Sequence, residues 1–306
     1  MFTGGSALSK ALRSILLIVL AAVMLCTSGC KLSGEDEFSL SIPKDFPANV
    51  GGVMIQSCPY NAVSLSPAIT GVIYSLGSNS QLVGVSDLCD YPDIPSEMPR
   101  VGTVSDPDVV RIIELKCDLL FTETPLPDEI MQRLDVANVT VAVIKAPDQY
   151  SKASQFYRDV AVAMSGMHTG KQNAENTFNR IDASLKALKD AYDTSKSPRA
   201  VVVLAYDEAV ATGDKAVGQM FEFTAANNVA KDAENYSFST QMIANADPQF
   251  IFCRQSDREK ILSDVLLKNT AAVKNGKVIA VDIGQVQRMS DYAVNILKEM
   301  CQQMYN

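Results

Sequence analysis

"NAVSLSPAITGVIYSLG", residues 61–77, changes its pattern at Ser66-Pro67. Before that pair, "NAVSLS" is a short apolar run with strand character. After it, "PAITGVIYSLG" places apolar residues at helical spacing and closes on Gly77. Ser66 is positioned to cap the helix and Pro67 to be its first residue, where the N–H that proline lacks would have no partner anyway. The chain thus passes from the carboxyl end of a strand straight into a helix. In parallel α/β sheets ligands gather at that edge, and the open N–H groups of a helix start suit anionic or acceptor groups.

The same unit repeats outward. "QLVGVS" reads as a strand, "DPDVVRIIELKCD" as a short helix, "LLFTE" as a strand, "PDEIMQRLDVAN" as a helix and "VTVAVI" as a strand. Such alternation with short connections predicts a mainly parallel sheet with helices on its faces. Asp106 and Pro107 are expected to open the helix of "DPDVV", and Ser256 and Glu259 stand at capping-box spacing in "SDREK". Strands recur at "RAVVVLAY" (199–206), "PQFIFC" (248–253) and "KVIAVDI" (277–283), with helical segments between them, which predicts a second α/β unit.

Between the two series lies the longest helical stretch. "DQYSKASQFYRDVAVAMSG" forms one helix and "TGKQNAENTFNRIDASLKALKDAYD" (169–193) another, with Ala174, Phe178, Ile181, Leu185 and Leu188 on one apolar stripe. About 25 residues at 1.5 Å each come to roughly 37 Å, enough to reach from one domain to the next. Periodicity alone leaves open a surface helix packed on a single domain.

At the N-terminus, Lys10 and Arg13 precede "SILLIVLAAVML" (14–25) and then "CTSGC" ending at Cys30. The apolar run is short for a spanning helix and suits the core of a secretion signal. Ser28 and Gly29 before Cys30 resemble a bacterial lipobox, with Thr27 where leucine is usual. An uncleaved anchor helix is the alternative that the short core disfavours, and both place the folded part outside the cytoplasm. Residues 31–46, "KLSGEDEFSLSIPKDF", are polar and acidic and suit a tether, with "GEDE" read as solvated charge.

With 306 residues, 47% of them hydrophobic, the chain has room for two domains with buried cores. Lys10 and Arg13 are the charged residues of 1–29, which leaves 25 basic against 35 acidic side chains, a net charge of −10. Nucleic acid is a poor partner for such a surface. Of the seven cysteines, Cys58, Cys89, Cys117, Cys253 and Cys301 follow Cys30, none in C-x-x-C spacing. Most are expected to be small buried apolar side chains, and whether one or two pairs form stays open. His168 is the single histidine, too little for a heme or metal pocket built on imidazoles, and it reads as a helix-boundary residue. No G-x-S-x-G elbow accompanies a serine, and "ATGDKAVG" lacks the spacing of a phosphate loop. An enzyme is disfavoured.

"FPANVGGVMIQSCPYNAVSLSPAITGVIYSLG", "LVGVSDLCDYP", "PRVGTVSDPDVVRIIELKCDLLF" and "HTGKQNAE" resemble the periplasmic binding domain for iron-siderophores and cobalamin. "ATGDKAVGQMFEFTAANNVAKDAENYSFSTQMIANADPQFIFC" resembles its second lobe, and the likeness runs from about residue 46 to the C-terminus. The resemblance implies two three-layer α/β/α lobes with mainly parallel sheets, joined by a single long bridging helix, with the ligand between them. The organisation it implies is a signal peptide at 1–29, an acidic tether at 30–45, an N-terminal lobe at 46–168, a bridging helix at 169–195 and a C-terminal lobe at 196–306. Function then follows as a lipid-anchored substrate-binding protein of an ABC importer, a monomer outside the cytoplasm. It would be held to a bacterial membrane through a lipid on Cys30 and would deliver a corrinoid or a ferric siderophore to a permease and ATPase. No resident cofactor or metal site is expected, the ligand bringing its own cobalt or iron.

By the same resemblance, Ser66, Pro67, Cys89, Asp90 and Tyr91 line the cleft from the N-lobe. Tyr236 and the segment at Arg288 do so from the C-lobe, with Tyr206, Asp207 and Arg254 at its rim. Substituting Tyr91 is expected to weaken binding without unfolding the lobe. Ligand stacking must use Tyr and Phe, since tryptophan is absent. The family's two permease-docking glutamates fall on Val110 and Gln241 here, leaving Asp106 and Asp108 to supply N-lobe charge. An extracytoplasmic sensory or scavenging module that docks on no permease is therefore the second reading.

Overall fold

The structure, a computed structural model, describes residues 44–91, 93–192 and 194–306. The leader, Cys30 and the tether up to residue 43 lie outside the described residues. Among the described residues no helix is long and apolar enough to cross a membrane.

The chain opens with a hairpin of β1 (Ala48–Val50) and β2 (Val53–Ile55). Its two-residue turn is Gly51-Gly52, both at positive φ (59° and 83°), the backbone that a tight hairpin demands at both positions. A Cβ on Gly51 would also lie 2.8 Å from the carbonyl oxygen of Val143. The N-terminal sheet and its helices follow as β3 (Ala62–Ser64), α1 (Pro67–Ser75), β4 (Leu82–Val85), α2 (Val109–Glu114), β5 (Leu119–Thr122), α3 (Asp128–Val136) and β6 (Thr140–Val143). These strands lie in the order β4-β3-β5-β6, each pair parallel.

Next come α4 (Ala153–Ser165) and α5 (Thr169–Asp190), the 22-residue helix that leads into the second sheet, about 33 Å long. The second unit contains β7 (Arg199–Ala205), β8 (Ala209–Val210), α6 (Ala216–Phe221), β9 (Asn227–Asn228), α7 (Thr240–Ala246), β10 (Phe250–Cys253), α8 (Gln255–Ser263), α9 (Ala271–Lys274), β11 (Val278–Ala280), α10 (Ile283–Gln287) and α11 (Asp291–Tyr305). Strands β11, β10 and β7 are parallel neighbours, β9 adds to β7 in parallel and β8 in antiparallel.

Strand alternation divides the core into layers. Leu119 and Phe121 of β5 and Val202 and Leu204 of β7 point into a central cluster, together with Ile181 and Leu185 of α5 and Leu297 of α11. Leu120 of β5 faces the opposite way, onto Ile112 and Leu134, and Val201 and Val203 of β7 face Ile243 and Ile261. Period-two side-chain direction is the cause, and strands buried on both faces read as unbroken apolar runs. The stripe on α5 belongs to the cluster both lobes share, which settles the question that periodicity left open.

Three caps differ from expectation or extend it. Helix α2 is capped by Asp108, whose Oδ1 accepts from the Arg111 N–H at 2.9 Å, and not by Asp106. Gly102 bridges to Pro107 and Asp106 sits in a turn with Thr103, so the backbone becomes helical only after the proline. Helix α8 starts at Gln255 with Arg254 as cap, which puts Ser256 inside the first turn instead of at the boundary. His168 is the cap of α5 and offers no side-chain bond there. Asp45, at the end of the expected tether, supplies it from outside: Oδ1 accepts from the N–H groups of His168 and Thr169, each at 2.8 Å, and Oδ2 from Thr169 Oγ1 at 2.6 Å.

The Thr169 hydroxyl, followed by its N–H, holds the Asp45 carboxyl below its ordinary range. A depressed carboxyl stabilises the fold above its unfolded value and loses that contribution as pH falls through its folded value. Asp45→Ala is expected to cost about 1 kcal/mol near neutral pH. In urea unfolding, the gap between wild type and variant should persist at neutral pH and narrow as pH falls through the lowered carboxyl range.

Candidate functional site

Both parallel sheets present carboxyl edges, and the loops leaving them carry the candidate residues. On the N-lobe, Ser66 caps α1 as expected, its Oγ accepting from the Ile69 N–H at 3.1 Å, with Pro67 opening the helix. The hydroxyl donates to the carboxylate of Glu123, which leaves the end of β5. Ser66 is only 2% exposed and its carbonyl accepts from Ser64 Oγ and Thr70 Oγ1, both at 2.9 Å. The edge therefore offers Glu123, which the sequence reading passed over although it closes the strand "LLFTE".

After β4 the chain forms the loop that carries Cys89, Asp90 and Tyr91. Arg100 Nη1 pins it by donating to the carbonyls of Ser86 (3.0 Å) and Cys89 (2.5 Å). Cys89 is buried 3.4 Å from Thr70 Oγ1, and burial pushes its thiol up. All five cysteines among the described residues are free, with Cys58 exposed and the others buried. Asp90 is exposed and crosses to the C-lobe, where it pairs with Arg288. Gln285 Nε2 reaches the Asp90 carbonyl at 3.4 Å.

Tyr91 is placed differently from expectation. It is 4% exposed, its ring lies 4.9 Å from both Tyr74 and Tyr292, and its hydroxyl donates to Asp291 Oδ1 at 2.7 Å. Burial, then the hydrogen bond to Asp291, raises the phenol above its ordinary range. Ser75 Oγ donates to the same Asp291 oxygen at 2.9 Å, Tyr292 OH to Asp93 at 3.0 Å, and Tyr157 OH to the Met289 carbonyl at 3.1 Å. Residues 285–292 of the C-lobe are thus seated on the N-lobe, and Tyr91 belongs to that junction. Its loss removes interior packing.

In the C-lobe, Arg254 leaves the end of β10. Its Nε donates to the Leu204 carbonyl at 2.8 Å and its Nη2 to Gln287 Oε1 at 2.7 Å. It borders a cavity of about 490 Å³ with Asp282, Gly284, Ile296 and Glu299. Tyr236 sits at φ 62° with the Lys215 ammonium 5.4 Å from its ring centre. Lys215 in turn lies 3.6 Å from Asp148 and 3.7 Å from Asp214. The place of Lys215 depends on residues distant in sequence, whereas Glu123 is marked locally by the end of the strand "LLFTE".

Tyr206 and Asp207 are held within their own lobe. Tyr206 OH donates to Asp264 at 2.6 Å, a bond that pushes the phenol up to about 12, and its N–H donates to the buried Asp257 at 3.2 Å. Asp207 accepts from Thr240 Oγ1 at 2.9 Å. Of the docking positions, Asp106, Asp108 and Gln241 are exposed, Asp108 serving as a cap and Gln241 donating to Asn245 at 2.9 Å. Val110 is 58% exposed. The structure brings together Asp90, Arg288 and, through Gln287, Arg254; Tyr236 stands with Lys215 and Asp148.

Two α/β lobes sharing a core along one long helix, with polar residues of both meeting at the carboxyl edges of parallel sheets, define a two-lobed binding protein. The chain belongs to the family described as periplasmic binding protein, whose model matches residues 63–283. It is similar to the uncharacterized ABC transporter substrate-binding lipoprotein YvrC of Bacillus subtilis, 24% identical over 94% of this chain and 95% of that protein. It is also similar to the cobalamin-binding protein of Halobacterium salinarum, 22% identical over 96% of this chain and 84% of the other. Among solved structures, the periplasmic heme-binding protein RhuT of Roseiflexus sp. RS-1 shares the fold at TM-score 0.66 and 23% identity, over 81% of this chain and 98% of that one. The periplasmic vitamin B12 binding protein BtuF of Vibrio cholerae does so at TM-score 0.57 and 18% identity, over 80% of this chain and 96% of the other.

Proposed function

We propose that the chain is the extracytoplasmic substrate-binding lipoprotein of an ABC importer, anchored through Cys30, and that it carries a corrinoid between its lobes to a permease and ATPase. The observation that carries this reading is the meeting of Asp90 and Arg288 from opposite lobes at the two carboxyl edges, beside Arg254. A space between two lobes would suit a large chelate held by shape and a few polar contacts, with no protein ligand to its metal. Likeness to relatives described as cobalamin-binding and vitamin B12-binding supports a corrinoid over a ferric siderophore. Asp90, Arg288, Arg254 and Tyr236 are assigned to the ligand, while Ser66, Pro67, Cys89 and Tyr91 shape the edge from beneath.

Exposed Val110 and Gln241, standing where the family's acidic pair is expected, favour one second reading, a ligand-sensing module that docks on no permease. Calorimetric titration of the full-length chain in detergent with cyanocobalamin, cobinamide and ferric siderophores tests the ligand. One-to-one corrinoid binding is expected. No binding by a folded, monodisperse sample to any of them would sink the proposal.

A further inference from the structure

Each cation at the carboxyl edges already has an anionic or polar partner within the protein. Arg288, whose side chain is 11% exposed, is paired with Asp90 across the lobes. Lys215, 15% exposed, is held between Asp148 and Asp214. Arg254 has Nε and Nη2 committed to the Leu204 carbonyl and Gln287. Acceptors with capacity for a ligand stand beside them. The Asp90 side chain keeps 63% of its surface exposed, Asp282 is exposed at the 490 Å³ cavity while its Oδ1 accepts from the Gln285 N–H at 3.3 Å, and Gln285 Oε1 is buried with no hydrogen-bond partner among the described residues, as is Arg288 Nη1 apart from its ion pair with Asp90.

We propose that Asp90 sets the charge of the ligand: by neutralising Arg288 in advance, it fits the cleft for a neutral, amide-bearing chelate and against one that carries carboxylates. This rests on the reading that the cleft holds a chelate. A carboxylate arriving at Arg288 must displace Asp90 or sit beside it, and either leaves two like charges in a partly desolvated place. A neutral amide meets no such penalty. Its N–H can donate to Asp90 or Gln285 Oε1, and its carbonyl can accept from the remaining guanidinium protons of Arg254. Asp90 thus acts by repulsion as much as by attraction, which is how a site with an arginine at its centre can still reject an acid.

The test compares cyanocobalamin, whose corrin edge bears amides, with hemin, which bears two carboxylates, on the full-length chain by calorimetry. Wild type is expected to bind cyanocobalamin at least about tenfold more tightly than hemin. In Asp90→Asn the hemin-to-cyanocobalamin affinity ratio is expected to rise about tenfold, because the freed Arg288 can then take a carboxylate. The double variant Asp90→Asn with Arg288→Gln should lose that gain, which separates a charge effect from a change of shape. Equal binding of the two probes by wild type, or a ratio unmoved by Asp90→Asn, overturns the role of Asp90 while leaving a chelate-binding cleft in place. Binding of neither probe by folded wild type overturns the chelate reading and this inference with it.

Discussion

Tyr91→Ala is expected to lower the unfolding free energy by about 3–5 kcal/mol, the usual cost of truncating a buried aromatic ring. Only 4% of Tyr91 is exposed, and the ring is held between Tyr74 of the N-lobe and Tyr292 of the C-lobe, 4.9 Å from each. Cavity formation dominates the loss. Asp291 keeps Ser75 as a donor at 2.9 Å, so the variant leaves no orphaned carboxylate. Tyr91→Phe keeps the ring and gives up one hydrogen bond, so it should cost about 1 kcal/mol. Function follows from position: Tyr91 sits next to Asp90, and loosening the junction at 285–292 removes the support that faces Asp90 toward Arg288. Corrinoid affinity should fall about tenfold in the alanine variant and little in the phenylalanine one. Urea unfolding and calorimetry read the two effects separately. An unchanged unfolding midpoint for Tyr91→Ala would mean that the ring is not interior packing at all.

What could be read in the sequence is what neighbouring residues decide among themselves. Ser66 and Pro67 form their cap within four residues, and β5, β7 and β10 announce themselves as unbroken apolar runs because both faces are covered. Gly51-Gly52 between "ANV" and "VMI" was a legible hairpin signal that the strand-helix rhythm obscured. Asp106 looked like a cap as good as Asp108, and the choice was made by the bridge from Gly102 to Pro107. Tyr91 passes for a loop residue in "CDYP" since its burial comes from Tyr74, Tyr292 and Asp291, the last two about 200 positions away. Asp45 reads as tether until Thr169 is placed beside it. The site was legible as a set of edges, and its charge pairing was not, because an ion pair between Asp90 and Arg288 exists only once two lobes have met.

Gly170→Ala, in the first turn of α5, is the second substitution with a large expected effect, and two principles disagree about its sign. Helix propensity favours alanine over glycine by about 0.8–1 kcal/mol. Packing opposes it, for a Cβ at this position would lie 2.4 Å from the Ala161 carbonyl oxygen and 2.7 Å from both the Ala161 carbonyl carbon and Val162 Cα. Those are backbone atoms of α4, which cannot swing aside as a side chain does, so the two helices must part by roughly 1 Å. Packing wins, and the net expected cost is about 2–3 kcal/mol. The strain does not stay local. Ala174, Ile181 and Leu185 on the same helix share their core with Tyr157 of α4 and with Phe221 and Leu297 of the second lobe, so a shift of α5 at its start moves the seat of both lobes on it. Ligand affinity should therefore fall together with the urea midpoint. A Gly170→Ala protein more stable than wild type would show that α4 and α5 separate freely, and the seating of the lobes on each other would then have to come from the junction at Tyr91 and Asp291.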